Sequence, residues 1–177
     1  RSRLLFSLIV TGAFLLNTNQ TEAQCYSAVQ LDGVNDYMQT GPLAIYDYSN
    51  FSIEAWINSS DYTPNEMYVT VCQNSFFGLG GWLIDGTFSG FGQGLSPSQI
   101  NLSGPGTSPS VNAWHHVAFV FDGANQIFYL DGVQVLAVPS TGVVNPAAGF
   151  NYGITIGARF TQDQQYANAA FEDVRIW

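Results

Sequence analysis

The stretch His115-His-Val-Ala-Phe-Val-Phe-Asp-Gly-Ala-Asn-Gln-Ile-Phe-Tyr-Leu-Asp-Gly-Val-Gln-Val-Leu-Ala-Val138 reads as three β-strands joined by two tight turns. His116–Phe121 is dominated by aromatic and β-branched residues, which suit a pleated, half-buried surface. Asp122-Gly-Ala-Asn125 supplies the turn residues of a hairpin, and Gln126–Leu130 runs back. Asp131-Gly132 is a two-residue turn signal, because both positions tolerate positive φ. Val133–Leu136 is the third strand.

The same reading extends in both directions. Phe51-Ser-Ile-Glu-Ala-Trp-Ile57 alternates strictly, with Phe51, Ile53, Ala55 and Ile57 on one face and Ser52, Glu54 and Trp56 on the other. Ser27–Leu31, Tyr37–Thr40, Met67–Cys72, Gly81–Ile84, Gln99–Leu102, Ile154–Ile156 and Phe171–Ile176 are further short extended runs. No helical period is sustained over a dozen residues, so the expected fold class is all-β, a two-sheet antiparallel sandwich. The Gly-, Ser- and Pro-rich stretches Gly86–Pro97 and Ser103–Ser110 read as loops.

The chain has 177 residues, enough for one domain with a sizeable core. It contains no lysine, and its four arginines face thirteen carboxylates, for a formal charge of -9. Such a surface repels phosphate backbones, which argues against a nucleic-acid partner. It suits an extracellular module or one that binds a divalent cation.

Arg1-Ser-Arg3 followed by the apolar run Leu4–Leu16 has the form of a signal peptide, and the run is too short for a transmembrane span. Thr21-Glu-Ala23 supplies small residues at a cleavage spacing, so residues 1–23 read as a removed leader and 24–177 as the mature domain. This predicts a secreted or cell-surface location. In that compartment Cys25 and Cys72 either form a disulfide or remain two thiols. The stop at Trp177, directly after a strand, fits a domain of a longer polypeptide.

Five segments in order resemble the laminin-G-like, concanavalin A-like jelly-roll family. They are Val29-Gln-Leu-Asp-Gly-Val-Asn-Asp-Tyr37, Phe51–Ile57, Trp114–Gly123 with Tyr129–Val133, Ile154–Gly157 and Phe171–Trp177. The resemblance implies two antiparallel sheets of about six or seven strands each, one of them concave. It also implies a function among lectins, carbohydrate-binding modules, adhesion domains or glycoside hydrolases. Hydrolases of this kind carry Glu-x-Asp-x-x-Glu on one strand, to place two carboxylates about the scissile bond. Glu54, Glu66 and Glu172 are the only glutamates after Ala23, and none stands in that pattern. The resemblance further implies a structural calcium joining the opening turn to the last strand, with Asp32 and Glu172 as ligands. Glu172 stands where the family more often has Asp. The alternative for Asp32 and Asp36 is that they cap their own turn.

No Gly-x-Ser-x-Gly nucleophile elbow is present. His115 and His116 are adjacent on a strand, point to opposite faces and cannot chelate one metal together. The expected function is therefore a non-catalytic binding module whose partner is a glycan or a cell-surface protein. The alternatives are a protein-interaction spacer and, less favoured, a glycoside hydrolase with an unfamiliar site. Sugar recognition rests on aromatic faces, and the expected ligand-binding residues are Trp82, Phe88, Phe91 and Tyr152 in or beside loops. Trp56 and Trp114 are assigned to the core.

Overall fold

The computed structural model describes residues 28–42, 49–61, 66–73, 76–81, 88–102, 108–144, 151–159, 161 and 165–177. The expected leader, Cys25 and Trp82 lie outside them. In chain order the described strands are β1 (Val29–Gln30), β2 (Met38–Gln39), β3 (Phe51–Ser59), β4 (Glu66–Gln73), β5 (Phe76–Gly81), β6 (Ser89–Gly92), β7 (Leu95–Ser96), β8 (Gln99–Asn101), β9 (His115–Phe121), β10 (Asn125–Leu130), β11 (Val133–Pro139), β12 (Thr141–Gly142), β13 (Asn151–Ile156) and β14 (Ala169–Ile176). Two six-stranded antiparallel sheets form the body. One runs β1-β14-β3-β9-β10-β11, and the other β2-β13-β4-β5-β6-β8. We call them the β3 sheet and the β4 sheet. A two-stranded ribbon pairs β7 with β12. The expected all-β jelly-roll sandwich is what the chain forms. Among the described residues there is no helix long and apolar enough to cross a membrane.

Alternation builds the core. Along β3, the residues on the Phe51, Ile53, Ala55, Ile57 face are buried, while Glu54 and Trp56 turn outward. A one-residue slip would exchange those faces, so burial pins the register. β9 pairs with β3 so that Ile53 faces Phe119 and Ala55 faces Val117. Aromatic rings fill the space between the sheets. Phe119 lies 5.2 Å from Phe128 and 5.6 Å from Phe51, and Tyr68 stacks on Phe88 at 5.3 Å. Each such pair adds about 0.5–1.5 kcal/mol beyond area burial.

The two predicted turns of the meander are present. Asp122 Oδ1 accepts the amides of Ala124 at 2.8 Å and Asn125 at 2.6 Å. Asp131 and Gly132 adopt φ of 50° and 78°, the paired left-handed geometry of a tight hairpin.

The glycine-rich middle departs from expectation. β6 lies inside Gly86–Pro97, read from sequence as loop, and occupies an interior position between β5 and β8. β5 likewise precedes the strand expected at Gly81–Ile84, of which residues 82–84 lie outside the described set. Packing explains β6. A Cβ on Gly90 would sit 2.6 Å from the Phe119 ring. The strand is poor in side chains because a core phenylalanine from the opposite sheet fills that volume.

Candidate functional site

The outer face of the β3 sheet gathers aromatic and ionisable side chains. Register places Trp56 of β3 between Glu172 of β14 and His116 of β9, and Glu54 opposite Arg175. Cross-strand partners share a face, so these groups meet. His116 packs its ring 5.4 Å from Trp56 and places Nε2 3.6 Å from Glu54 Oε2. Glu54 Oε1 accepts from Arg175 Nη1 at 3.4 Å and from Trp177 Nε1 at 3.3 Å. Arg175 Nη2 also donates to Asp173 Oδ2 at 2.5 Å.

β14 does not run regularly here. Glu172 faces Trp56 and Arg175 faces Glu54, so three steps on β14 match two on β3. The extra residue is a β-bulge, and Asp173 within it has φ of 52°. In a regular strand Asp173 would point away from Glu172. The bulge instead turns both successive carboxylates to one side. With Trp56 and Trp114 they line a shallow cleft of about 330 Å³. Trp56 is 39% exposed and Trp114 40%. Among the described residues, no hydrogen bond or ion pair engages the Glu172 carboxylate or either indole N–H.

This cleft was missed by sequence reasoning, which sent both tryptophans to the core. A usable signal existed for one of them: strict alternation puts Trp56 on the Glu54 face, not the Ile53 face. The bulge had no signal, since Asp173 carries the register shift with no glycine to mark it.

The expected ligand residues lie elsewhere. Phe88 is 1% exposed and packs on Tyr68 and Phe128, so its ring has no face for a ligand. Phe91 is 4% exposed. It lies on the outer side of the β4 sheet, with its ring over Gly78. Both belong to strand-level packing and not to a loop platform. Tyr152 is half-buried on β13, in the sheet opposite the cleft. Trp82 lies outside the described residues.

The Asp32–Glu172 pair does not fit a shared calcium. β1 pairs Val29 with Phe171 and Gln30 with Ala170, and Leu31 N donates to Ala169 O at 2.9 Å. That register sets Asp32 level with Asn168, four residues from Glu172, or ~13 Å along the strand. Calcium oxygens lie within about 2.6 Å of the ion. Asp32 Oδ1 instead accepts the amides of Val34 at 2.8 Å and Asn35 at 3.4 Å. These N–H groups hold its carboxyl below the ordinary value. Among the described residues no group of three or more His, Cys, Asp or Glu side chains is placed to hold a metal ion.

A second polar constellation also escaped the sequence reading. Ser110 Oγ lies 2.8 Å from His115 Nε2, and His115 Nδ1 lies 2.8 Å from Asp131 Oδ2. The order is that of a nucleophile relay. Its details favour a clamp. The Ser110 amide also donates to Nε2 at 3.1 Å, competing for the lone pair a base must present. Asp131 Oδ1 accepts the His116 amide at 2.9 Å. The imidazole thus ties the segment before β9 to the β10–β11 turn. Burial pushes the Asp131 carboxyl up, but the His115 hydrogen bond, the His116 amide and the two imidazoles outweigh it and hold it below its ordinary value.

Two face-to-face antiparallel sheets, wound from strands distant in sequence, define a jelly-roll sandwich. The chain belongs to the concanavalin A-like lectin/glucanases superfamily, whose laminin-G family model matches residues 32–177. Among solved structures it is similar to domain 4 of AbnA, an extracellular arabinanase from Geobacillus stearothermophilus, in complex with arabinotriose. The TM-score is 0.62 at 17% identity, over 84% of this chain and 69% of that one. It is also similar to domains LG4-5 of the mouse laminin alpha1 chain, with TM-score 0.58 and 15% identity over 85% of this chain and 42% of that one. A native heptameric SAP-like pentraxin from Limulus polyphemus gives 0.52 and 16%, over 84% and 74%. The chain thus spans about two fifths of the laminin fragment. At these identities the likeness is one of fold. No curated protein matches the sequence.

Proposed function

We propose that the chain is a non-catalytic carbohydrate-binding module of a secreted or cell-surface protein. The observation that carries this reading is the Trp56–Trp114 cleft with its adjoining Glu172 and Asp173 carboxylates. Indole faces attract the C–H faces of sugar rings, and carboxylates accept their hydroxyls. A shallow open cleft suits weak capture of a chain better than chemistry, which needs water excluded. The arabinotriose bound to the AbnA domain supports the assignment by analogy of fold.

Affinity electrophoresis against a panel of plant and microbial polysaccharides tests it. The wild-type chain should be retarded by at least one polysaccharide, and Trp56→Ala and Trp114→Ala should migrate freely. Retardation unchanged in both variants would remove the cleft from the reading.

A hydrolase reading draws on the Ser110–His115–Asp131 line alone. A fluorophosphonate probe distinguishes the two. The binding-module reading expects Ser110 to stay unlabelled, because its partner nitrogen already accepts a backbone amide. Labelling lost in Ser110→Ala would establish a nucleophile.

A further inference from the structure

The charge around the cleft is one-sided. Among the described residues, Glu54, Glu172 and Asp173 line or adjoin it, against one guanidinium, that of Arg175, and the His116 ring. Arg175 is already shared between Glu54 and Asp173. Glu172 is left without an ionic partner among the described residues, beside two indoles. The bulge at Asp173 turns a second carboxylate to the same cleft. The chain as a whole carries a formal charge of -9 with no lysine, a long-range field of the same sign.

Indole faces carry negative electrostatic potential and attract cations. Carboxylates at the same opening add to that field. A sulfated or uronic glycan would meet repulsion here, and a neutral one would meet only stacking and hydroxyl contacts. We infer that the cleft selects glycans bearing free protonated amines, the ammonium seated between the indoles and the Glu172–Asp173 carboxylates. This rests on the glycan-binding reading of the same cleft and names its ligand class. The recognised group is an amino sugar without its acetyl cap. Acetylation removes the charge and leaves the ring, so the paired oligomers isolate the effect of the amine.

The test is calorimetric titration of the chain with glucosamine oligomers and with N-acetylglucosamine and glucose oligomers of equal length. The pH is held low enough to protonate the amines. The expected result is binding about tenfold tighter for the deacetylated oligomer, the combined size of one exposed cation–π contact and one exposed ion pair. The preference should shrink as salt rises, because exposed charge is screened. Glu172→Gln combined with Asp173→Asn should abolish the preference, so that amino and neutral oligomers bind alike. Trimethylammonium should compete with the amino oligomer in the wild type and lose most of that effect in the double variant. Circular dichroism confirms that each variant is folded. Equal affinity for amino and neutral oligomers would overturn the inference and leave the glycan-binding reading standing. An amine preference that survives in the double variant would assign it to the general acidity of the surface, and overturn the inference as well. No binding of any oligomer would count against both readings.

Discussion

On the β3 sheet the face turned from the core holds Glu54, Trp56, His116, Glu172 and Arg175. On the β4 sheet the corresponding face holds Gln39, Thr155, Thr70, Gly78, Phe91 and Gln99, level with one another across five strand pairings. The first is large-residue, ionisable and in part open, with Trp56 and Trp114 about two fifths exposed. The second carries no charge in this row, and Thr70, Thr155, Ser89 and Phe91 are all buried. Its polar groups bond to one another, as Ser89 Oγ and Gln99 Nε2 both donate to Asn101 Oδ1 at 2.9 Å. The difference is one of engagement. The β4 face has satisfied its groups internally, and the β3 face presents two indole N–H groups and a carboxylate that have no hydrogen-bond or ionic partner among the described residues.

That contrast can be broken most sharply by Gly78→Ala. A methyl there would run into the Val69 carbonyl oxygen, which is backbone and cannot swing aside, and would crowd the Phe91 ring. The expected loss is about 3 kcal/mol, at the upper end for overpacking, and a fall in Tm of roughly 6–12 °C. A thermal melt no lower than that of Trp56→Ala would show that the β4 face is not the rigid one.

The converse belongs to the β3 face. Trp56→Ala and Trp114→Ala should lower glycan affinity by about tenfold or more, the scale of one lost aromatic stack. Titration of the ligand identified by electrophoresis reads this directly. A drop of the same size in Thr70→Val would move the binding surface to the other sheet.

Acid separates the two sheets next. The Asp131 carboxyl on the β3 sheet titrates below its ordinary value, so its contribution to stability is present above about pH 3.9 and lost as pH falls through the lowered value. Asp131→Asn should therefore be less stable than wild type at neutral pH, with the gap closing in acid. The expected size at pH 7 is about 1 kcal/mol, reduced because the carboxylate is half exposed. Urea melts from pH 7 to pH 2.5 measure it, and a gap constant over that range would refute the clamp. Thr70→Val on the uncharged row should show no such closing.

The smallest effect expected is that of Arg175→Ala. Its side chain is 50% exposed, and both its carboxylate partners remain solvated without it. Stability should change by less than about 0.5 kcal/mol. A larger loss would mean that Arg175 holds the bulge of β14 in place.

Sequence reading succeeded where local chemistry and burial agree. The alternation of Phe51–Ile57 and the turn residues of Asp122–Asn125 and Asp131-Gly132 specify strands and hairpins through short-range sterics, and these appear as expected. It failed where a residue's role depends on a partner far along the chain. β6 looked like loop because its glycines make room for side chains outside the strand, Gly90 for Phe119, about thirty residues away, and Gly92 for Leu95 and Val144. Phe88 and Phe91 looked exposed because glycines flank them, yet one fills the core and the other covers Gly78.

By itself, then, the sequence determined the fold class, the central hairpins and the acidic character of the chain, since each follows from periodicity, turn stereochemistry or composition, and the order of five segments carried the resemblance to the family. Tertiary structure alone decided the site. Only the pairing of β14 with β3 shows that a one-residue bulge turns Glu172 and Asp173 to the same side as Trp56. Only the pairing of β1 with β14 sets Asp32 level with Asn168, four residues from Glu172, and separates a clasp that the resemblance implied. Register between distant strands is a property of the folded sheet, fixed by the burial of both strands at once.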